Sequence, residues 1–246
     1  MKEKFTNQIF VNKEDYQNEF KFDICWVIEE LNKLPFDFYI SGGVIYKFFF
    51  KEHARFVKDI DIVIKCDLKE VESAFRQRFN VVKFQSAPIS YLYFLETFMC
   101  LIDVNGKIVQ IDGIRLDFFD EIKHIIYKIN DLSFKGVSIE YLISTKIDAV
   151  TNETENPFKH LVDTYTASLA DPSFIDKKEI KKYLVILNTQ NNKVRKEFKK
   201  SEIPIKFNIE HNKIFTGPEF LPTLQAGYNV SKETMIEEVN KWLLTF

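Results

Sequence analysis

Asp59-Ile60-Asp61 is the segment of this chain whose residue types and spacing point most directly to chemistry. It opens the apolar run Asp-Ile-Asp-Ile-Val-Ile, which reads as a strand. Side chains alternate faces along a strand, so the two carboxylates share one face while Ile60 and Ile62 turn to the core. Asp112 sits in a second strand-like run, Ile-Val-Gln-Ile-Asp-Gly-Ile. From a neighbouring strand, about 4.8 Å across a sheet, it completes a triangle with the first two. Asp103 in the partner strand and Asp117 just beyond are the other candidates for that corner. Three carboxylates that close repel one another unless a cation lies among them. Two Mg²⁺ (or Mn²⁺) ions about 3.5–4 Å apart remove the repulsion and clamp the attacking and leaving oxygens of a phosphoryl displacement. Ser41-Gly42-Gly43 supplies a second part of such a site. Glycines between a strand and a helix let the backbone approach a phosphate, and the helix start offers free N–H donors and a favourable dipole. Asp59, Asp61 and Asp112 are therefore the candidate metal ligands, and Ser41, Gly42 and Gly43 the candidate nucleotide contacts.

The elements that would position these residues can be read in order. Apolar residues from 13 to 33 recur at helical spacing until Pro35 stops the helix. A short strand over 36–40 ends in Ser-Gly-Gly, and a helix over 44–51 follows. Next come a strand over 59–64, a charged helix over 68–79 and a strand over 80–84. Residues 98–104 and 107–114 alternate around Asn105-Gly106, a strong hairpin signal. Beyond residue 139 the pattern turns helical, with helices expected over 140–150, 157–169, 177–187 and 232–244. Asp171-Pro172 and Ser231 look like N-caps, and 202–229 reads as an irregular connection. The expectation is an α+β protein: a small mixed β-sheet domain flanked by helices (residues 1–138), then a C-terminal helical bundle (139–246).

Composition limits the classes. The 246 residues suit one large domain or two small ones, with 46% hydrophobic and 28% charged residues. A formal charge of −2 gives no global attraction to nucleic acid or membrane. Cys25, Cys66 and Cys100 lie far apart in apolar runs, which fits buried free thiols rather than a zinc site or disulfide framework. No apolar run approaches the roughly 20 residues of a membrane helix, and the N-terminal segment lacks signal-peptide character. A cytoplasmic protein with no membrane partner is expected.

The motifs also resemble a known family. Tyr-Ile-Ser-Gly-Gly-Val-Ile-Tyr-Lys over 39–47, followed by Arg-Phe-Val-Lys-Asp-Ile-Asp-Ile over 55–62, is similar to the AbiEii/AbiGii toxin family of nucleotidyltransferases, in the DNA polymerase β superfamily. That family pairs a Gly-Gly motif with an Arg-Phe-Ser-x-Asp-Ile-Asp-Leu signature. Its second signature, a Lys with Ala three residues on and then Arg-Asp-x-x-Asp-Leu, matches Lys146-Ile147-Asp148-Ala149 and the segment from Lys159 to Thr164. Val57 stands where the family has Ser, Lys159 where it has Arg, and His160 where it has the first Asp. The resemblance implies an enzyme that moves a nucleoside monophosphate from an NTP, using Mg²⁺ or Mn²⁺, to RNA, tRNA or a protein. It also implies a toxin or phage-defence role with an antitoxin as partner. Lys146, as a nucleotide contact that neutralises triphosphate charge, and Asp163 would join the catalytic set by the same resemblance. Arg55 could meet triphosphate oxygens or the Asp59–Asp61 pair.

A run from 177 to 206 is rich in Lys and Arg. Lys178 and Lys182, four apart, share a helix face, and together with Lys181 they form a candidate RNA-binding stripe. Two other readings stand beside the leading one. One is a nucleotidyltransferase acting on a small molecule of the antibiotic type. The other is a catalytically degenerate relative that only binds nucleotide, RNA or a partner protein.

Overall fold

The structure is a computed structural model, and it describes residues 8–11, 22–50, 57–87, 96–152, 157–170, 175–197, 199–210, 214 and 230–246. The chain divides into two compact units, one of residues 1–49, 56–90 and 95–138, the other of 50–55, 91–94 and 139–246.

The first unit is built on an eight-stranded mixed sheet. Its strands are β1 (Gln8–Val11), β2 (Phe38–Ser41), β3 (Asp59–Ile64), β4 (Val81–Ala87), β5 (Thr97–Val104), β6 (Lys107–Arg115), β7 (His124–Ile129) and β8 (Leu132–Val137). They lie in the order β1-β7-β8-β2-β3-β6-β5-β4. Among the described residues three α-helices interrupt them: α1 (Ile24–Leu31), α2 (Gly42–Phe49) and α3 (Leu68–Arg78). The β5–β6 hairpin forms around Asn105 (φ 54°) and Gly106 (φ 80°), the positive pair that a tight two-residue turn demands. Asp103 Oδ1 accepts the Gly106 amide at 2.7 Å, so this carboxylate serves the turn.

One face of the sheet is apolar. Ile60 pairs with Ile111, which pairs with Cys100; Ile62 pairs with Gly113, which pairs with Phe98. All of these except Gly113 are hydrophobic core residues, each no more than 3% exposed. Phe75 from α3 closes over this face, its ring 5.7 Å from that of Phe98. Phe48 from α2 meets Tyr127 and Phe134 further along. The opposite face, at residues 59, 61, 110 and 112, is only half-buried.

Several boundaries differ from the sequence reading. The expected helix over 13–33 starts at Ile24, because the Asp23 carboxylate caps it by accepting the Trp26 amide at 3.1 Å; residues 12–21 lie outside the described residues. The sheet is larger than the small one expected. β1 and the β7–β8 hairpin, which turns at Asn130 (φ 52°), are additional strands.

In the second unit the described helices are α4 (Ile139–Thr151), α5 (Pro157–Ser168), α6 (Lys177–Glu197) and α7 (Lys232–Leu243). α4 packs on α5 and α6, and α5 on α7. α6 runs ten residues beyond its expected end at Leu187. Its cap is Asp176, whose Oδ1 accepts the amides of Lys178 and Glu179; Asp171-Pro172 lies outside the described residues. Ser231 does cap α7, accepting the Thr234 amide at 3.2 Å. Part of the irregular connection is tied down by two asparagines. Asn192 brackets Ile203, and Asn240 brackets Ile209, each amide donating to the backbone carbonyl and accepting from the backbone N–H.

Candidate active site

The strand register places the carboxylates. β2 runs antiparallel to β3 with Ser41 opposite Asp61, and β3 runs parallel to β6 with Asp61 beside Asp112. Two residues earlier, Asp59 lies beside Gln110. Asp59, Asp61, Gln110 and Asp112 thus mark four corners of a patch on the half-buried face. Asp117 is exposed beyond the end of β6, and Asp103 is committed to its turn, so Asp112 is the residue that reaches this patch. Ser41, 8% exposed, closes the row on the β2 side.

Gly42 is fitted to Asp61. Its φ of +63° is a conformation that L side chains rarely adopt, and a Cβ built there would lie 1.6 Å from Asp61 Oδ2. Only a residue without a side chain lets α2 begin this close to the carboxylate. The first turn of a helix favours negative charge, so the start of α2 is a natural place for an anionic oxygen. Gly43 has a different constraint. A Cβ on it would meet Val57 Cγ2 at 3.0 Å, so its smallness accommodates the buried Val57 side chain. The Val at the position where the AbiEii pattern has Ser is therefore a packing residue.

Asp112 is held from within its own strand. Gln110 Nε2 donates to Asp112 Oδ1 at 3.0 Å and to Oδ2 at 2.8 Å. Among the described residues, no three His, Cys, Asp or Glu side chains converge as they stand on a point where one ion could bind. The donor chemistry nevertheless fits Mg²⁺ or Mn²⁺: hard carboxylate oxygens on one face of adjacent strands. Asp61 Oδ2 lies against Gly42, and the Asp112 carboxylate receives the Gln110 amide.

The second unit holds the other two residues singled out by sequence. Lys146 on α4 and Asp163 on α5 form an ion pair at 3.4 Å, with side chains 11% and 5% exposed. His160 stands one turn before Asp163. Lys178, Lys181 and Lys182 are exposed on α6, with Lys182 paired to Glu179 at 2.8 Å. Arg55 lies outside the described residues.

The profile of the family described as "Nucleotidyl transferase of unknown function (DUF2204)" matches residues 21–200, well over half of the chain. The chain belongs to this family. The match names nucleotidyl transferases as a family and does not extend to the AbiEii/AbiGii toxins. An antigenic nucleotidyltransferase-like protein from Paracoccidioides brasiliensis is similar in structure at 15% identity and a TM-score of 0.44, over 77% of this chain and 95% of that one. JHP933 from Helicobacter pylori is similar at 11% identity and a TM-score of 0.42, over 95% of this chain and 89% of that one. No curated protein matches in sequence. Among the described residues no helix is long and apolar enough to cross a membrane.

Two residues of this nucleotidyl transferase family member gained meaning only from the structure. Gln110 has no charge and no motif to announce it, although its i, i+2 spacing to Asp112 puts both on one strand face. Val57 looked like a departure from a pattern, and only its contact with Gly43 explains it.

Proposed function

We propose that the first unit transfers a nucleoside monophosphate from an NTP to an acceptor hydroxyl, with Asp59, Asp61 and Asp112 as ligands for Mg²⁺ or Mn²⁺. The observation that carries this reading is the register that sets Asp61 beside Asp112, with Asp59 on the same face, in a chain of a nucleotidyl transferase family. When bound, the cation supplies charge neutralisation at the phosphates and lowers the pKa of the attacking hydroxyl. The acceptor oxygen bonds to the α-phosphorus, the bond to the bridging oxygen breaks, and pyrophosphate leaves. The hydroxyl proton passes to a carboxylate of the set or to water. Gly42 and the first turn of α2 are suited to receive phosphate oxygens, with Ser41 beside them. Lys146 and Asp163 are needed for activity, as the resemblance in their motif implies. The acceptor is RNA, including tRNA, with Lys178, Lys181 and Lys182 contacting its backbone, and the biological setting is a toxin or defence system with an antitoxin partner.

The test is direct. The protein is incubated with each labelled NTP, Mg²⁺ and total cell RNA or protein, and the labelled product is identified. Wild type is expected to label RNA, and Asp59→Asn and Asp61→Asn to label nothing while unfolding at the wild-type temperature. Near-normal transfer by either variant removes that residue from the metal set. Replacing Lys178, Lys181 and Lys182 together is expected to weaken binding to all RNAs alike and to flatten its salt dependence. Label in protein, with the triple variant unaffected, moves the acceptor to a protein side chain.

A further inference from the structure

The half-buried face of the sheet does not end at the carboxylates. Asp112 stands opposite Met99, and Met99 opposite Gln85; Gln110 stands opposite Leu101, and Leu101 opposite Lys83. Residues paired across strands share a face, so these side chains lie on the same side of the sheet as Asp59, Asp61 and Asp112. Met99 and Leu101 are one strand spacing from the Asp112–Gln110 strand, about 4.8 Å. Lys83 and Gln85 are exposed on β4, which ends the sheet among the described strands. An antiparallel strand with one open face alternates apolar-in and polar-out. β5 does not. Phe98, Cys100 and Ile102 are in the core, yet Met99 and Leu101 between them are also apolar and only half-buried. Ile108, on the same face as Gln110, is 56% exposed. A continuous apolar run such as residues 98–102 is the pattern of a strand that is covered on both sides. A bulge between Val81 and Lys83 interrupts the ladder at the edge, which disfavours an added strand there and leaves the face itself as the surface to be covered.

We propose that Met99 and Leu101 form the floor for a base at the end of the RNA acceptor, with Lys83 at the outer edge meeting a phosphate of that strand. The inference rests on the RNA-acceptor reading given above and says where the strand lies. The attacking and leaving oxygens of a phosphoryl transfer are roughly in line. With the phosphates received at Gly42 and the start of α2, pyrophosphate leaves on the β2 side and the hydroxyl attacks from the β6 side. Met99 and Leu101 are the next residues in that direction. A base has a flat face that rests on apolar groups, and its strand carries a negative charge at each phosphate. An apolar floor with a cation at its outer edge complements both. Contact with the base face alone accepts any base, so the floor takes a single strand without selecting its sequence.

Binding of a fluorescently labelled, mixed-sequence single-stranded RNA oligonucleotide to the full chain, followed by anisotropy without NTP over a salt series, reads the floor apart from catalysis. Leu101→Thr and Met99→Thr each remove apolar surface at a strand position that Thr suits. Lys83→Gln removes a charge at an exposed edge and decides the matter if the β5 variants do not fold. Each β5 variant is expected to bind about five- to tenfold more weakly, the scale of losing part of a buried aliphatic side chain. For Lys83→Gln the slope of log affinity against log salt should be shallower by about 0.7, one counterion released from a single strand. In transfer assays the KM for RNA rises in all three variants while the KM for NTP stays at the wild-type value. Wild-type affinity in both β5 variants, or an unchanged salt slope in Lys83→Gln, overturns the proposal. A rise in the KM for NTP alone assigns the floor to the incoming nucleotide and overturns it too. If the wild-type protein neither binds the oligonucleotide nor labels RNA, the RNA-acceptor reading fails and the floor with it. If it does both and the variants match it, only the floor falls.

Discussion

Asp61 touches the start of α2 so closely that Gly42 cannot carry a side chain without moving it. The expected outcome for Gly42→Ala is a loss of about 1–2 kcal/mol from the left-handed backbone alone, plus whatever the displaced carboxylate costs. Chemical denaturation of Gly42→Ala, Asp61→Ala and the double variant separates the two parts. The double variant should lose less than the sum of the singles, because the clash disappears with the carboxylate. Additivity would mean that Asp61 yields freely to the new methyl group. At this scale the sequence was informative where chemistry depends on spacing within one strand. Asp59 and Asp61 needed only the alternation of faces. Choosing Asp112 over Asp103 and Asp117 needed the pairing of β3 with β6, which no local pattern encodes. Gly42-Gly43 was legible as a pair, but the two positions have separate causes, one a carboxylate and the other Val57.

Among the elements, the starts of α1, α3, α6 and α7 follow the caps Asp23, Asp67, Asp176 and Ser231, and the misses have identifiable reasons. The β7–β8 hairpin turns at Asn130-Asp131, a weaker signal than Asn105-Gly106, and its strands carry lysines that dilute the alternation. β1 is four residues long and finds its partner more than a hundred residues away, so nothing nearby reveals it. α6 outlasts its apolar stripe because its last turns are held by polar contacts, Asn192 to Ile203 and Arg195 Nε to the Ser201 carbonyl. The Lys146–Asp163 pair joins α4 to α5 in a buried setting, where the loss of one charge is strongly felt by the other. Lys146→Met or Asp163→Leu alone is therefore expected to cost about 3–5 kcal/mol, and the two together to recover much of that loss. Urea titrations of the three variants check this. A double variant that is stable yet fails to transfer nucleotide would separate a role in activity from the role in packing. Equal stability of all three with wild type would mean that the pair contributes nothing to holding the helices.

Over the whole molecule, stability should fall on the alkaline side for a reason that can be traced. Burial pushes the Cys100 thiol from 9.0 up to about 12, and the half-buried Cys66 up to about 11. The unfolded chain releases these protons near pH 9 while the folded chain retains them. Their contribution is thus complete below about pH 9 and is lost as pH rises toward 12. Urea midpoints at pH 7.5 and 10.5 should drop less in Cys100→Ala than in wild type; equal drops would place the alkaline loss elsewhere. The sheet has a further consequence, in time rather than in energy. β1 pairs in parallel with β7, and β7 in turn needs β8 to join it to β2. On the ribosome, at about 5–20 residues per second, the strand at residues 8–11 exists for several seconds or more before residues 124–137 are made. This early-made strand is one of the last able to find its place. A slow, late step in cotranslational folding, with the strand at residues 8–11 open to proteases until it docks, is written into the strand order.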